Sequence, residues 1–239
     1  MRTSYLKYIK QYRKQQAQAM VEFIIVFPVL MLLTLGTFQV ALVYNAKTTV
    51  NYAIFNAARV GAVSNADKDN IERAFIRGLA PLFTSIDDEN STINVKQLQI
   101  GRDKVKEIVD DGFVCIQRLN PTNEAFLDFG KADDGMIPNN NLMYRSSEIG
   151  GASQVSIQDA NLLKLRVTYC HELIVPFFPN MLKLMVSDAD PDGLTIDTDN
   201  NLFIKNCYLN GRMPIVSQAI VRMQSDIKND IFPSCTSPL

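Results

Sequence analysis

The chain has no tryptophan and one histidine, His171, among its 239 residues. A single imidazole excludes a His-rich metal site and leaves little for imidazole catalysis. His171 also adjoins Cys170 in a run that reads as a strand, where neighbouring side chains point to opposite faces, so the two make a poor dyad. G-x-S-x-G, H-E-x-x-H, a Walker-type loop and a dinucleotide fingerprint are all missing. Acids are numerous, but no two are marked as an acid/base couple. These absences predict a protein that is not an enzyme. Cysteine is sparse, with Cys115, Cys170, Cys207 and Cys235 and no C-x-x-C among them. That spacing rejects zinc. An even count fits two disulfides in an oxidising compartment, buried free thiols being the other reading.

Acidic residues are absent from the first seventeen positions, which hold Arg2, Lys7, Lys10, Arg13 and Lys14. Taking those five from the chain's 24 Lys and Arg leaves 19 bases against 25 acids, so the body lacks the basic surface that holds nucleic acid through counterion release. No nucleic-acid partner is expected. The basic head leads into the longest apolar run in the chain, VEFIIVFPVLMLLTLGTFQVALVY, residues 21–44. At 1.5 Å per residue it gives roughly 36 Å of helix, enough for a hydrocarbon core of about 30 Å. It is longer than a secretory h-region and has no small-residue cleavage site after it, so it reads as a retained anchor. Positive charge directly upstream places the N-terminus in the cytoplasm and the remainder across the membrane, in the periplasm of a bacterium. Pro28 removes one intrahelical hydrogen bond and predicts a kink.

Beyond the bilayer the helix is expected to continue, because Val43, Ala46, Val50, Ala53, Ala57 and Val60 recur at spacings of three and four. Gly61 with Ser64 and Asn65 supplies the predicted stop, giving one helix from about Gln18 to Val63. Two uses of the small-residue stripe stay open: packing on the chain's own head, or receiving a helix of another subunit.

Glu22 is costly at the edge of such a helix, by about 2–3 kcal/mol if driven unpaired to mid-bilayer. A cut after Ala17 would free an amine at Gln18, one helical turn from Glu22 and on its face. A basic leader, a small residue before the cut, a glutamate at the fifth position after it and an apolar helix beyond are together the pattern of type IV prepilins. More closely, residues 15–62, with V-E-F at Val21 to Phe23 and N-A-A-R-x-G at Asn56 to Gly61, resemble the amino-terminal region of TadE-like proteins, minor pseudopilins of tight-adherence (Tad/Flp) pilus systems. An R-V-T-Y strand at Arg166 to Tyr169 and a closing strand ending V-R-M add a weaker likeness. The resemblance implies cleavage between Ala17 and Gln18 by a membrane prepilin peptidase, pairing of Glu22 with the new amine, and extraction by the inner-membrane assembly platform to join other pilin and minor pilin subunits. Ala17 stands where the family usually has Gly. A head of about 175 residues favours a tip or priming role over the shaft, whose main pilins are much smaller in this family.

Further along, residues 67–83 read as a second helix broken near Pro81, with acids in its first turn. Residues 113–119, 162–175 and 213–224 read as strands, the second alternating Leu163, Leu165, Val167 and Tyr169 on one face. Asn120-Pro121 resembles an N-cap with Pro at the first helical position before 124–129. Residues 131–153 read as loop. Cys170 and Cys207 fall near strand ends or turns, which favours that bridge and leaves Cys115 with Cys235, one of three pairings that four cysteines permit. Asp188, Asp190, Asp192 and Asp199 stand at positions one, three, five and twelve of a calcium-type loop, although Pro191 interrupts it and twelve is not Glu. No other cofactor is suggested.

The expected architecture is α+β: a basic leader over 1–17, a long helix over 18–63 with its membrane span at 21–44, and a pilin-like periplasmic head over 64–239 in which the helix packs on an antiparallel sheet. The expected function is that of a Tad-type minor pilin for surface adhesion, anchored in the inner membrane and extracellular once assembled. The competing reading is an uncleaved single-pass scaffold of the same machinery.

Overall fold

A computed structural model describes residues 2–84, 95–175, 178–180, 183, 201–233 and 235, with only the backbone given for 2–19, 21 and 201. The calcium-type loop at 188–199 lies outside the described residues. Helix α1 spans Arg2–Val63, so it begins well before Gln18, and the leader is helical too. Nothing in the sequence breaks it before Pro28, which lies inside α1 without ending it. The chain divides into two compact units, one up to Val43 and one from Tyr44 onward.

In the first unit the described side chains are apolar on nearly every side of the helix and open to their surroundings, as in Phe23, Ile24, Leu33 and Phe38. A helix apolar all round is buried in a large core or in lipid. Phe23 and Phe27, one turn apart, stack at 5.3 Å. The two hydroxyls of the run are satisfied within the helix, Thr34 donating to the Met31 carbonyl at 2.9 Å and Thr37 to the Thr34 carbonyl at 2.7 Å. In lipid, where water cannot serve these groups, that is a requirement. Among the described residues this is the one helix long and apolar enough to cross a membrane.

The second unit joins the last turns of α1 to α2 (Lys68–Leu79), a 3-10 turn at Ala80–Phe83, α3 (Val95–Asp110), β1 (Val114–Asn120), α4 (Asn123–Phe129), α5 (Ile157–Ala160), β2 (Leu162–Glu172), α6 (Asn201–Leu209) and β3 (Arg212–Arg222). The strands form one antiparallel sheet in the order β1-β2-β3. Leu163, Leu165, Val167 and Tyr169 line one face of β2 and are buried, with Ile215, Ser217 and Ala219 of β3 beside them. The stripe Ala46, Val50, Ala53 and Ala57 of α1 is completely buried. Ser217 donates to Asn51 Oδ1 at 2.6 Å, Gln224 N to the Ala62 carbonyl at 2.8 Å, and the Lys47 ammonium to the Val216 carbonyl, so α1 lies along β3. The small-residue stripe therefore covers the chain's own head.

Close approach explains two of the glycines. A Cβ on Gly78 would lie 2.7 Å from the Ala53 Cα, and one on Gly61 would meet Ile71 at 2.8 Å and Leu163 at 2.9 Å. Gly61 is thus a packing residue inside α1 and not its stop. The stop is a turn in which Asn65 and Ala66 take φ of 59° and 55°, with Ala66 N bonded to the Gly61 carbonyl at 2.9 Å. Asp67 then caps α2 by accepting from Asn70 N at 2.9 Å. The cap of α4 is Thr122, not Asn120, since the helix starts at Asn123.

The 131–153 segment is held by polar contacts that sequence periodicity does not display. Fully buried Asn161 donates to the Pro138 and Ile157 carbonyls and accepts from Asn139, which satisfies its amide. Asp226 accepts from Lys131 at 2.5 Å and from Asn139 N at 2.8 Å. The Lys131 hydrogen bond is the main reason its carboxyl is held below the usual range. Arg118 lies over Phe126 at 4.7 Å and Phe232 at 5.3 Å, and burial pulls its guanidinium down to about 10.

Gly78→Ala should destabilise the protein. Helix propensity favours Ala by about 1 kcal/mol, but overpacking against backbone costs about 1–3 kcal/mol and the Ala53 backbone has no rotamer with which to yield. Urea unfolding of the detergent-solubilised chain followed by circular dichroism checks this, with Gly151→Ala, which meets nothing within 4 Å, as control. Because the Asp226 carboxyl is depressed, its contribution is complete above the unfolded value of about 3.9 and is lost as pH falls through the lower folded value. Asp226→Asn should lower the neutral-pH midpoint and flatten the acid limb below about pH 4.

Candidate functional site

Two constellations carry the sequence expectations, and they lie in different units. The first is the helix around Ala17, Gln18 and Glu22. All three positions belong to α1, and Gln18 and Glu22 are four residues apart, which puts them on one helix face with a rise of about 6 Å. The Glu22 side chain is exposed. Pro28 comes six residues later. Its missing N–H leaves the Ile24 carbonyl without its usual donor, in the part of the helix where the apolar surface is open.

The second constellation is cysteine-based and sits on the sheet face opposite α1. Cys170 is bonded to Cys207, with Cα atoms 5.3 Å apart, and Cys115 to Cys235, at 5.9 Å. This is the pairing that strand position favours. Cys115 stands opposite Thr168 in the β1-β2 register and Cys170 opposite Pro214 in the β2-β3 register. With Phe203 and Cys207 of α6 and the flanking Phe113 they form a small apolar cluster. Arg212 covers its rim, 4.1 Å over the Phe113 ring and 3.6 Å from Glu172. The cluster is a staple, since α6 and the Cys235 tail are too short to bury much surface by themselves.

His171 points to the opposite face from Cys170, as strand alternation requires, and is buried beside Tyr169 at 5.8 Å. Neither ring nitrogen has a hydrogen-bond partner among the described residues. Burial lowers its pKa below the usual imidazole value. No Cys-His dyad forms, because the Cys170 sulfur is in a disulfide. Among the described residues no group of three or more His, Cys, Asp or Glu could hold a metal.

The family model described as TadE-like protein matches residues 17–59. Those residues are a TadE-like segment. The match starts at Ala17, contains Glu22 and Pro28, and ends at Arg59, after the first turns that pack on the sheet. It covers less than a fifth of the chain, and no curated protein and no solved structure matches. The TadE-like segment spans the boundary between the two units and stops short of the sheet, the disulfides and α2 to α6.

Sequence reading missed α3, whose buried side is made by Gln97, Gly101 and Val105, of which one is aliphatic. The signal was Gly101, placed one turn before Val105 so that α3 can approach the Ala80 carbonyl. It also missed the cationic groove formed by Arg59, Arg77 and Arg222, which come from three separate elements.

Removing the Cys115–Cys235 bond by paired serine substitution should cost about 2–5 kcal/mol, and about 1 kcal/mol more than removing Cys170–Cys207, since loop-closure entropy grows with loop length. The two loops span 120 and 37 residues. Urea midpoints read by tyrosine fluorescence measure the two costs; equal midpoints for the wild-type and both variants would rule out the staple.

Proposed function

We propose that this chain is a pilin-like minor subunit of a Tad-type pilus machine, held in the inner membrane by α1 with its N-terminus in the cytoplasm and its head in the periplasm. One observation carries the reading: the TadE-like match begins at Ala17 and takes in Glu22 and the apolar helix after it. A prepilin peptidase cuts between Ala17 and Gln18, and the new ammonium at Gln18 is neutralised by Glu22 of a neighbouring turn or subunit. A charge pair of this kind lowers the cost of holding a carboxylate among apolar side chains. Both cut positions lie in a helix, and proteases act on locally opened backbone, so cleavage requires the leader end of α1 to unwind. Ala17, larger than the glycine that resembling prepilins carry, would slow this step or prevent it, the second outcome giving the uncleaved scaffold.

After processing, the assembly platform draws the subunit into contact with other pilins and minor pilins, where the large head suits a priming or tip position. The two disulfides support a head in an oxidising compartment. The function is structural: no catalysis and no cofactor belong to this reading. The single alternative, an uncleaved inner-membrane scaffold, is favoured by the same open apolar helix and differs only in processing.

Intact mass of the protein extracted from its native membranes decides between them. The processed subunit starts at Gln18 and the scaffold at Met1 or Arg2. Ala17→Gly should raise the processed fraction, and Glu22→Gln should leave processing intact while incorporation into sheared pili falls by about tenfold or more, the equivalent of losing one paired charge in an apolar setting.

A further inference from the structure

The exposed side of α1 beyond Tyr44 borders a groove of about 710 Å³ between α1, α2 and the end of β3. Its floor and walls include Tyr52 and Val63 of α1, and Ala74 of α2; its charge comes from Arg59, Arg77 and Arg222. Tyr52 is 61% exposed and Val63 65%. Among the described residues no Asp or Glu lines the groove. Arg59 rests 5.9 Å over the Phe55 ring and Arg77 donates from Nε to the Arg73 carbonyl at 3.2 Å. Among the described residues none of the three guanidinium groups forms an ion pair.

Arginine forks pair with carboxylates through two parallel hydrogen bonds, and exposed tyrosine and arginine are the side chains most often found at the energetic centres of protein interfaces. The geometry points to a docking site for a carboxylate-bearing segment of a second, different protein, with two or more acids reaching the arginines and an apolar side chain entering between Tyr52 and Val63.

Other occupants fit less well. Nucleic acid is held along an extended basic track, and the chain after the leader carries 19 bases against 25 acids. Lipid headgroups are remote, since Tyr52 lies about 12 Å of helix rise beyond Tyr44 and Val63 about 28 Å. A symmetric pair of this chain would set the same arginines face to face across a two-fold axis. The inference does not rest on the pilus reading, because it uses only residues of the second unit and their charges.

The test places the photo-reactive residue benzoylphenylalanine at Tyr52 in the full chain, in native membranes. Irradiation should give an adduct with one other protein, mapped to a segment carrying at least two Asp or Glu. Arg77→Glu combined with Arg222→Glu should reduce the adduct about tenfold, since truncating paired interface charges costs a few kcal/mol. Changing the partner's mapped acids to Lys should restore it. Lys104→Glu, at an exposed position of α3, is the control for added negative charge and should change nothing. Unchanged circular dichroism of the double variant separates lost docking from lost fold. An adduct with lipid, nucleic acid or a second copy of this chain, no adduct, or one indifferent to the arginine reversals overturns the proposal.

Discussion

The approach of a helix to a sheet at the distance set by alanine and glycine is the constraint on which the head depends. Ala46, Val50, Ala53 and Ala57 present so little side chain that α1 can lie along β3 and be bonded to it through Lys47, Asn51 and Ala62. Gly78 brings α2 against the Ala53 backbone, and Gly61 admits Ile71 and Leu163. Shared van der Waals surface is gained along the entire length of these contacts, and little side-chain entropy is lost because the residues have little to lose. The same economy makes the arrangement intolerant, since each contact is with backbone or with the branched end of a buried residue.

One helix meets two different demands. Over 22–43 its side chains are mostly large, apolar and open, and its threonine hydroxyls at Thr34 and Thr37 are served by its own carbonyls. After Tyr44 one face is small and covered, and the other carries Tyr52, Asn56 and Arg59. The change from bulky to small residues reflects the change of neighbour, from a medium that fits any shape to a folded sheet that fits only one. The TadE-like match runs with the helix across this change and ends where the head's own architecture takes over.

On the far side of the sheet, covalent bonds replace the missing surface. On this face α6 and the tail around Cys235 pack at the ends of β1 and β2, and the two disulfides tie these short pieces down. Cross-links of this sort persist where the surroundings are oxidising, so the chemistry of the head agrees with a helix that would deliver it across a membrane.

Sequence alone determined the features that depend on composition over a single element. The apolar run, the leader's charge, the β2 alternation of Leu163, Leu165, Val167 and Tyr169, the Asp67 start of α2 and the resemblance around Glu22 were legible because each is a local pattern of one periodicity or one motif. The small-residue stripe was legible as a stripe, but what covers it was not: Ala and Val at heptad spacing suit a neighbouring helix and a sheet equally. Tertiary structure decided that the chain's own sheet and α2 are the partners, and that Gly61 packs instead of stopping the helix. It also decided that Thr122 and not Asn120 opens α4, that Gln97, Gly101 and Val105 make a helix face, and that Arg59, Arg77 and Arg222 meet around one groove. Each of these depends on side chains distant in sequence arriving at the same point, and a contact of that kind leaves no period in the chain that makes it.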